Sequence, residues 1–271
     1  MPFLRKDLLE IAEYASSLPL FVSILSNGML ITDETAKRLR GCNIKEVQIS
    51  LDGARPETHD AYRGMKGAHA AAIRAIEALR REGIKVDIAT VVNRSNTDEL
   101  ADLIDFCKRW NIVPGLSHQQ LKGRAAVEGK EYQLTYYEHY REMIKARAYI
   151  TEHTSDKPFT FKVPVQPNLN VPRCSAGLNS LTVLSNGDVY ACLDLDAPGA
   201  KLGNIHEQSL GEIWNSDYPF LNMLRTSSLK DLTFCRDCKH FIYCKGGCPA
   251  TAYEVWGDYN MPDPKNCAYF T

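Results

Sequence analysis

Cysteine is the residue type whose number and spacing most directly suggest chemistry in this chain of 271 residues. Two of the nine cysteines, Cys42 and Cys107, stand alone in the first 173 residues. The other seven crowd the last 98 residues, and they are Cys174, Cys192, Cys235, Cys238, Cys244, Cys248 and Cys267. A reducing cytosol keeps thiols from pairing as disulfides, so this crowding favours metal binding or catalysis.

The spacing of the seven cysteines predicts more than one metal site. Cys235 and Cys238 form a Cys-x2-Cys pair, which lets two thiolates reach one metal while backbone N–H groups stabilise their charge. Cys244 and Cys248 form a Cys-x3-Cys pair, whereas a zinc ribbon would require a second Cys-x2-Cys pair. Seven thiolates exceed one tetrahedral site, and the ligand rules alone leave both zinc and iron–sulfur open.

Composition excludes several classes of protein. A hydrophobic fraction of 44% supports a large core, which excludes a disordered or fibrous chain. The net charge of -1 and the lack of a basic run exclude nucleic acid as the main partner. The sequence has no apolar stretch of about 20 residues and no apolar run at its charged N-terminus, so we expect no membrane span and a cytoplasmic protein.

The first part of the chain alternates between helical and strand patterns. This alternation predicts an α/β fold with a parallel sheet and right-handed crossovers. The predicted helices are residues 5–16, 33–40, 67–82 and 97–110, and the predicted strands are residues 19–28, 44–50, 84–92 and 111–120. Ligands of such sheets bind beyond the carboxyl ends of the strands, where Asn27, Ser50, Asp52, Asn93 and His118 lie. Turns and helix caps are the simpler explanation for each of them alone.

The second part begins after a long predicted helix, residues 133–153. A proline-rich segment follows, and we interpret it as a linker. The run LTVLSNGDVYAC then predicts a β-hairpin that ends at Cys192. The predicted domains are residues 1–155, a linker at 156–173, and a cysteine-rich domain at 174–271.

This cysteine pattern resembles the SPASM domain of radical S-adenosylmethionine (SAM) enzymes. That family has a cysteine, a Gly-x4-Cys hairpin, a Cys-x2-Cys-x5-Cys-x3-Cys block and a last cysteine, and all seven cysteines and Gly187 match it. The segment YCKGGCPATAY is also similar to the family's Cys-x-Gly-Gly-Cys-x-Ala segment.

The resemblance implies two auxiliary iron–sulfur clusters, of the [4Fe–4S] type, with interleaved ligands. The implied outer ligands are Cys235, Cys238, Cys244 and Cys267, and the implied inner ligands are Cys174, Cys192 and Cys248. The fourth inner ligand stays open between Asp194, Asp196, a thiolate of the substrate and solvent.

The front of the chain is similar to the radical SAM fold, a partial barrel of six βα units. The segment EVQISLDGARPETHDAYRG resembles its fourth strand and the following helix. The resemblance implies that Ser50 and Arg63 hold the methionyl carboxylate of SAM, and Asp52, Asn27 and Asn93 are further candidates for contact with it. LKGRAA, residues 121–126, resembles the loop after the sixth strand.

Two defining parts of the radical SAM pattern do not occur in this sequence. They are the Cys-x3-Cys-x2-Cys loop, which holds the cluster that reduces SAM, and the Gly-Gly-Glu-Pro segment. We therefore expect a partial (β/α)6 barrel that is missing its first strands, with an exposed edge at residues 21–25. We also expect that this chain alone does not cleave SAM, either as a fragment or as a non-catalytic relative.

The resemblance implies an enzyme whose complete form modifies a ribosomal peptide or a protein side chain through a 5′-deoxyadenosyl radical. Its expected electron donor is a ferredoxin or a flavodoxin. Maturation of a haem precursor is a related alternative. Two further alternatives are a non-catalytic iron–sulfur carrier or peptide-binding partner, and a structural module stapled by zinc.

Overall fold

A parallel sheet of four strands organises the first of two units, residues 1–159, and the second unit is residues 160–271. The computed structural model describes residues 2–119, 124–154, 168–197 and 199–267. Most of the predicted linker at 156–173 lies outside these ranges, so the predicted domain boundaries stay a prediction.

The sheet has the strand order β1-β2-β3-β4, and neighbouring strands are parallel. The strands are β1 (Ser23–Ser26), β2 (Glu46–Ser50), β3 (Lys85–Val92) and β4 (Gly115–His118). The helices are α1 (Leu8–Ser17), α2 (Asp33–Gly41), α3 (Pro56–Arg63), α4 (Ala68–Arg81), α5 (Leu100–Lys108), α6 (Arg124–Glu128) and α7 (Tyr136–Thr154). Short 3-10 turns cover Pro2–Leu4, Thr97–Glu99 and Lys130–Tyr132.

The core of the first unit lies between the sheet and its helices. Val47 and Ile49 of β2 are fully buried, and Ile76 and Leu79 of α4 pack in the same apolar cluster. Each apolar side chain of this size contributes about 1.5–3 kcal/mol when it is removed from water. This burial holds the carboxyl ends of the strands in fixed register.

Two residues show how the sequence determines where a helix begins and where a strand ends. Thr32 caps α2, because its hydroxyl accepts the N–H of Thr35 at 3.2 Å. After β1 the chain turns at Gly28, which has a φ of +79°. A Cβ atom there would lie 3.0 Å from the Cα of Ala72 on α4, so the turn needs glycine for conformation and for space.

Strand β1 forms an edge of the sheet in the described part of the chain, where it pairs only with β2. Phe21 and Leu25 keep 69% and 63% of their surface exposed. This matches the exposed edge expected for residues 21–25. An exposed strand edge with apolar side chains invites association with other chains.

The second unit contains an antiparallel sheet and several short helices. Its strands are β5 (Thr182–Val183), β6 (Asp188–Tyr190) and β7 (Gly203–Asn204), in that order. Its helices are α8 (Leu210–Trp214), α9 (Pro219–Thr226), α10 (Phe241–Cys244), α11 (Pro249–Trp256) and α12 (Pro264–Cys267). Short 3-10 turns cover Leu193–Leu195, Leu229–Asp231 and Thr233–Cys235. The predicted hairpin is β5–β6.

None of the helices in the described ranges is long and apolar enough to cross a bilayer.

Candidate metal centre and cofactor site

Four thiols of the second unit lie near enough for their charges to interact, and we call them the outer group: Cys235, Cys238, Cys244 and Cys267. The 3-10 turn Thr233–Cys235 leads into a tight turn in which the N–H of Cys238 donates to the carbonyl of Cys235 at 3.1 Å. Helices α10 and α12 end at the other two cysteines. Burial raises the pKa of the Cys235 thiol, and the charges of the other three thiols raise it further.

The other three cysteines of this unit form the inner group: Cys174, Cys192 and Cys248. The β5–β6 hairpin delivers Cys192, whose sulfur accepts the backbone N–H of Asp194 at 3.5 Å. Burial raises the pKa of Cys192, and that N–H opposes the shift because it stabilises the thiolate. The charges of Asp194, Cys174 and Cys248 raise the pKa further.

A left-handed turn separates Cys244 of the outer group from Cys248 of the inner group. Lys245, Gly246 and Gly247 have φ angles of 51°, 77° and 72°. A Cβ atom on Gly246 would lie 2.7 Å from the Leu232 side chain. This turn explains why the sequence has two adjacent glycines between cysteines that belong to different groups.

Two polar residues that the sequence did not single out lie against the cysteines. Tyr259 is only 1% exposed, and burial raises the pKa of its hydroxyl, as do the charges of all three inner thiols. Asp263 accepts the N–H of Cys248 on its carboxylate at 2.9 Å, and its carbonyl accepts the N–H of Cys267 at 3.0 Å. Asp263 therefore connects the backbones of the two groups.

All nine cysteines lie among the described residues, and none of them forms a disulfide. Cys107 is fully buried in α5, and burial raises its pKa to about 12. Cys42 donates from its sulfur to the carbonyl of Leu9 at 3.6 Å, and burial raises its pKa as well. Cys107 is therefore a poor nucleophile at neutral pH.

In the first unit, a buried carboxylate holds Arg63 at the carboxyl end of the sheet. Asp52 follows β2 and has no exposed surface. One of its oxygens accepts from Arg63 Nε at 2.5 Å, and the other accepts the N–H of Val91 at 2.9 Å. Burial raises the pKa of Asp52, while the Arg63 guanidinium and the Val91 N–H oppose that shift.

Arg63 lies at the wall of a cavity with a volume of about 230 Å³. Its side chain is 28% exposed, so the guanidinium that Asp52 anchors can also reach a ligand. Gln119 lies on the same cavity, donates from its amide to the carbonyl of Gly129 at 2.9 Å, and is 4% exposed. The remaining lining residues are Ala61, Tyr62, Gly64, Ala125, Glu128, Glu131 and Tyr132.

The other predicted contacts to the cofactor lie at the same edge of the sheet. Ser50 is the last residue of β2 and is half-buried. Asn27 and Asn93 each stabilise a local turn of the backbone. The side-chain oxygen of Asn27 accepts the N–H of Met29 at 3.2 Å, and that of Asn93 accepts the N–H of Ser95 at 2.9 Å. Asn93 is fully buried. Residues 121–123 of the predicted loop LKGRAA lie outside the described residues.

His59 is a neutral side chain that contacts the backbone at the same edge of the sheet. Its Nδ1 accepts the backbone N–H of Asp52 at 3.0 Å, and the side chain is 1% exposed. Burial lowers its pKa to about 4, and the positive charge of Arg63 adds to the shift. Nδ1 is therefore an acceptor, and the ring proton is on Nε2.

We expect this histidine to make the first unit sensitive to acid. Because its folded-state pKa lies below the unfolded value, its contribution to stability is complete above pH 6.5 and is lost as the pH falls towards 4. The loss is about 3 kcal/mol in the free energy of unfolding. His59→Asn keeps an acceptor for the Asp52 N–H and does not titrate. Denaturant unfolding at a series of pH values should show this acid loss in the wild type and not in His59→Asn, and equal curves would contradict it.

Comparison with known proteins finds matches to both units. The family model of the radical SAM superfamily matches residues 1–107, and that of an iron–sulfur cluster-binding domain, SPASM, matches residues 174–239. An AdoMet-dependent heme synthase of Nitratidesulfovibrio vulgaris is 30% identical over 99% of this chain and 77% of its own length. The mycofactocin maturase MftC of Mycolicibacterium smegmatis is 31% identical over 97% of this chain and 68% of its own length. The chain belongs to the radical SAM superfamily.

Solved structures confirm the fold class of this radical SAM protein. Streptococcus suis SuiB bound to S-adenosylmethionine has a TM-score of 0.69 at 19% identity, over 96% of this chain and 62% of that one. The enzyme anSMEcpe with bound AdoMet and the Kp18Cys peptide has a TM-score of 0.62 at 19% identity, over 91% of this chain and 71% of that one. The predicted α/β partial barrel followed by a cysteine-rich domain is therefore confirmed. Both family matches indicate iron–sulfur clusters and SAM as cofactors.

Proposed function

We propose that the second unit of this radical SAM protein holds two auxiliary [4Fe–4S] clusters, one on the outer group of thiols and one on the inner group. The observation that carries this proposal is that each group contains the same cysteines as one of the two ligand sets implied by the SPASM pattern. The cysteines of the inner group come from distant parts of the sequence, and the outer group combines the Cys235–Cys244 segment with Cys267. Thiolates are the ligands that such clusters prefer.

The number of cysteines supports clusters over a single zinc ion, because seven thiolates exceed the four ligands of one tetrahedral site. The fourth ligand of the inner cluster is Asp194, Asp196, a substrate thiolate or solvent.

In the first unit we assign the SAM site to the carboxyl end of the sheet, at the Arg63 cavity. Arg63 would bind the methionyl carboxylate, because a guanidinium forms charge-assisted hydrogen bonds to carboxylates. Asp52 holds the guanidinium in place from the buried side, and Ser50 lies at the end of the same strand. Asn27 and Asn93 shape the neighbouring turns.

The role of the protein is then to bind and orient, while SAM and the clusters supply radical and one-electron chemistry when they are bound. Backbone N–H groups such as that of Asp194 stabilise the thiolates. Arg63 fixes one end of SAM. The electron donor in this proposal is a ferredoxin or a flavodoxin, and the complete enzyme acts in the cytoplasm.

The substrate class we propose is a peptide or a protein side chain. The name of the mycofactocin maturase and the peptide in the anSMEcpe structure support it. A haem precursor is the second candidate, because relatives of similar identity are named heme synthases. Titration with an iron porphyrin separates the two: a shift of the porphyrin absorption band on binding favours the second, and an unchanged band favours the first.

The test of the two clusters is elemental analysis of the full chain after strictly anaerobic purification and reconstitution. We expect about eight iron and eight sulfide ions per chain, with broad visible absorption. Zinc in place of iron would support a structural zinc module instead. Iron–sulfur content without cleavage of SAM, even when SAM binds, would support a non-catalytic carrier.

A further inference from the structure

Arg173, the residue directly before Cys174, makes an unusual set of contacts. Its guanidinium donates to four backbone carbonyls and to no side chain among the described residues. The acceptors are the carbonyls of Gly246, Gly247 at 3.3 Å, Tyr259 at 2.5 Å and Met261 at 2.9 Å.

These carbonyls belong to the segments that carry the cysteines of both groups. Gly246 and Gly247 form the left-handed turn between Cys244 and Cys248. Tyr259 and Met261 lie in the segment that leads to Cys267. One guanidinium therefore connects three segments: the Gly246–Gly247 turn, the Tyr259–Met261 segment, and its own segment, which carries Cys174. The φ of 77° favours glycine at position 246, and a Cβ atom there would lie 3.4 Å from the guanidinium carbon.

The charge of Arg173 is not balanced by any ion pair with a described carboxylate. Burial lowers its pKa, while the charges of Tyr259, Cys235, Asp263 and Cys248 oppose that shift. In return, Arg173 lowers the pKa of Cys235 and Cys267 against the effect of burial. A half-buried cation that has only neutral hydrogen-bond partners costs free energy unless negative charge lies nearby.

We propose that Arg173 is a positioning residue shared by the two cluster sites, where it fixes the backbone of the cysteine segments and compensates the negative charge of both clusters. This inference rests on the proposed function. Reduction adds one electron to a cluster and makes it more negative, so a nearby cation favours the reduced form. Arg173 therefore raises the reduction potentials of both clusters.

The test compares three variants of the reconstituted full chain. Arg173→Met removes the charge and the hydrogen bonds, and Arg173→Lys keeps the charge. Arg225→Met is the matched control, because Arg225 also donates to backbone carbonyls, those of Gly177 at 2.9 Å and Trp214 at 2.7 Å, and Arg173 contacts neither of them. The measurement is a redox titration with dithionite, followed by electron paramagnetic resonance and visible absorption.

In Arg173→Met we expect the equilibrium constant for one-electron reduction to fall at least tenfold at both centres, which is about 59 mV toward more negative potential. Arg173→Lys and Arg225→Met should keep the wild-type potentials. If Arg173→Met does not retain clusters, Arg173→Gln replaces it, and loss of clusters in both neutral variants but not in Arg173→Lys also supports the role of the charge.

Unchanged potentials in Arg173→Met, or an equal shift in Arg225→Met, would overturn the inference. So would a loss of clusters in Arg173→Lys that matches the loss in the neutral variants. These outcomes differ from failure of the proposed function, in which the wild-type chain itself would bind no iron and sulfide.

Discussion

Replacing Cys235 by serine is expected to remove about half of the iron from the reconstituted chain and to leave the inner centre intact. Cys235 is the most buried thiol of the outer group, 7% exposed, and its neighbours are the other three outer thiols. Serine is a weak ligand for iron, so the iron content should fall from about eight to about four ions per chain. Iron and sulfide analysis, with electron paramagnetic resonance of the reduced protein, measures this result.

The matched variants separate the two groups. Cys174→Ser should remove the inner centre and leave the outer one, so that its spectrum complements that of Cys235→Ser. Cys42→Ser is the control: its sulfur contacts the carbonyl of Leu9, and it should keep the full iron content. A loss of all iron in either single variant, or of iron in Cys42→Ser, would contradict two separate ligand sets.

The second large effect is expected for Asp52→Ala, which should lower the free energy of unfolding by about 3 kcal/mol and weaken SAM binding. The change removes the partner of Arg63 and leaves the Val91 N–H without its acceptor. Breaking a buried ion pair costs about 3–5 kcal/mol, and we expect the lower end because Arg63 is 28% exposed. Denaturant unfolding gives the stability, and calorimetry gives the affinity for SAM.

Two further variants test whether the effect comes from the charge of Asp52 and from its burial. Asp52→Asn keeps an oxygen for the Val91 N–H and loses only the charge, so its effects should lie between those of the wild type and the alanine variant. Asp98→Asn removes an exposed partner of Arg55 and should change stability by less than about 1 kcal/mol. If Asp52→Ala and Asp98→Asn have equal effects, Asp52 does not anchor Arg63 in the way described.

The first three strands of the parallel sheet were predictable because each contains apolar residues and is bounded by turn residues. β2 and β3 bury every second side chain, and helix α4 between them has one apolar face. The predicted helix at 97–110 begins instead as a 3-10 turn at Thr97–Glu99 and continues as α5. Glu99 is buried there because it accepts the N–H of Arg55 at 2.9 Å, a contact that the local pattern does not reveal.

Much of the second unit was less predictable, since its elements are short and depend on contacts between distant residues. The β5–β6 hairpin had a clear Asn-Gly signal, but β7 has only two residues and gives no pattern. The spacing of the cysteines predicted their ligand sets only through a family resemblance. Nothing in the spacing pointed to Arg173, Tyr259 or Asp263, which act through backbone carbonyls and N–H groups far along the chain.

The most direct test of the two-cluster account is a crystal structure of the anaerobically prepared full chain, with anomalous data collected at the iron edge. We expect two iron centres, one bound by Cys235, Cys238, Cys244 and Cys267 and the other by Cys174, Cys192 and Cys248. A single centre, a different division of the seven cysteines, or anomalous signal at the zinc edge in place of the iron edge would contradict it.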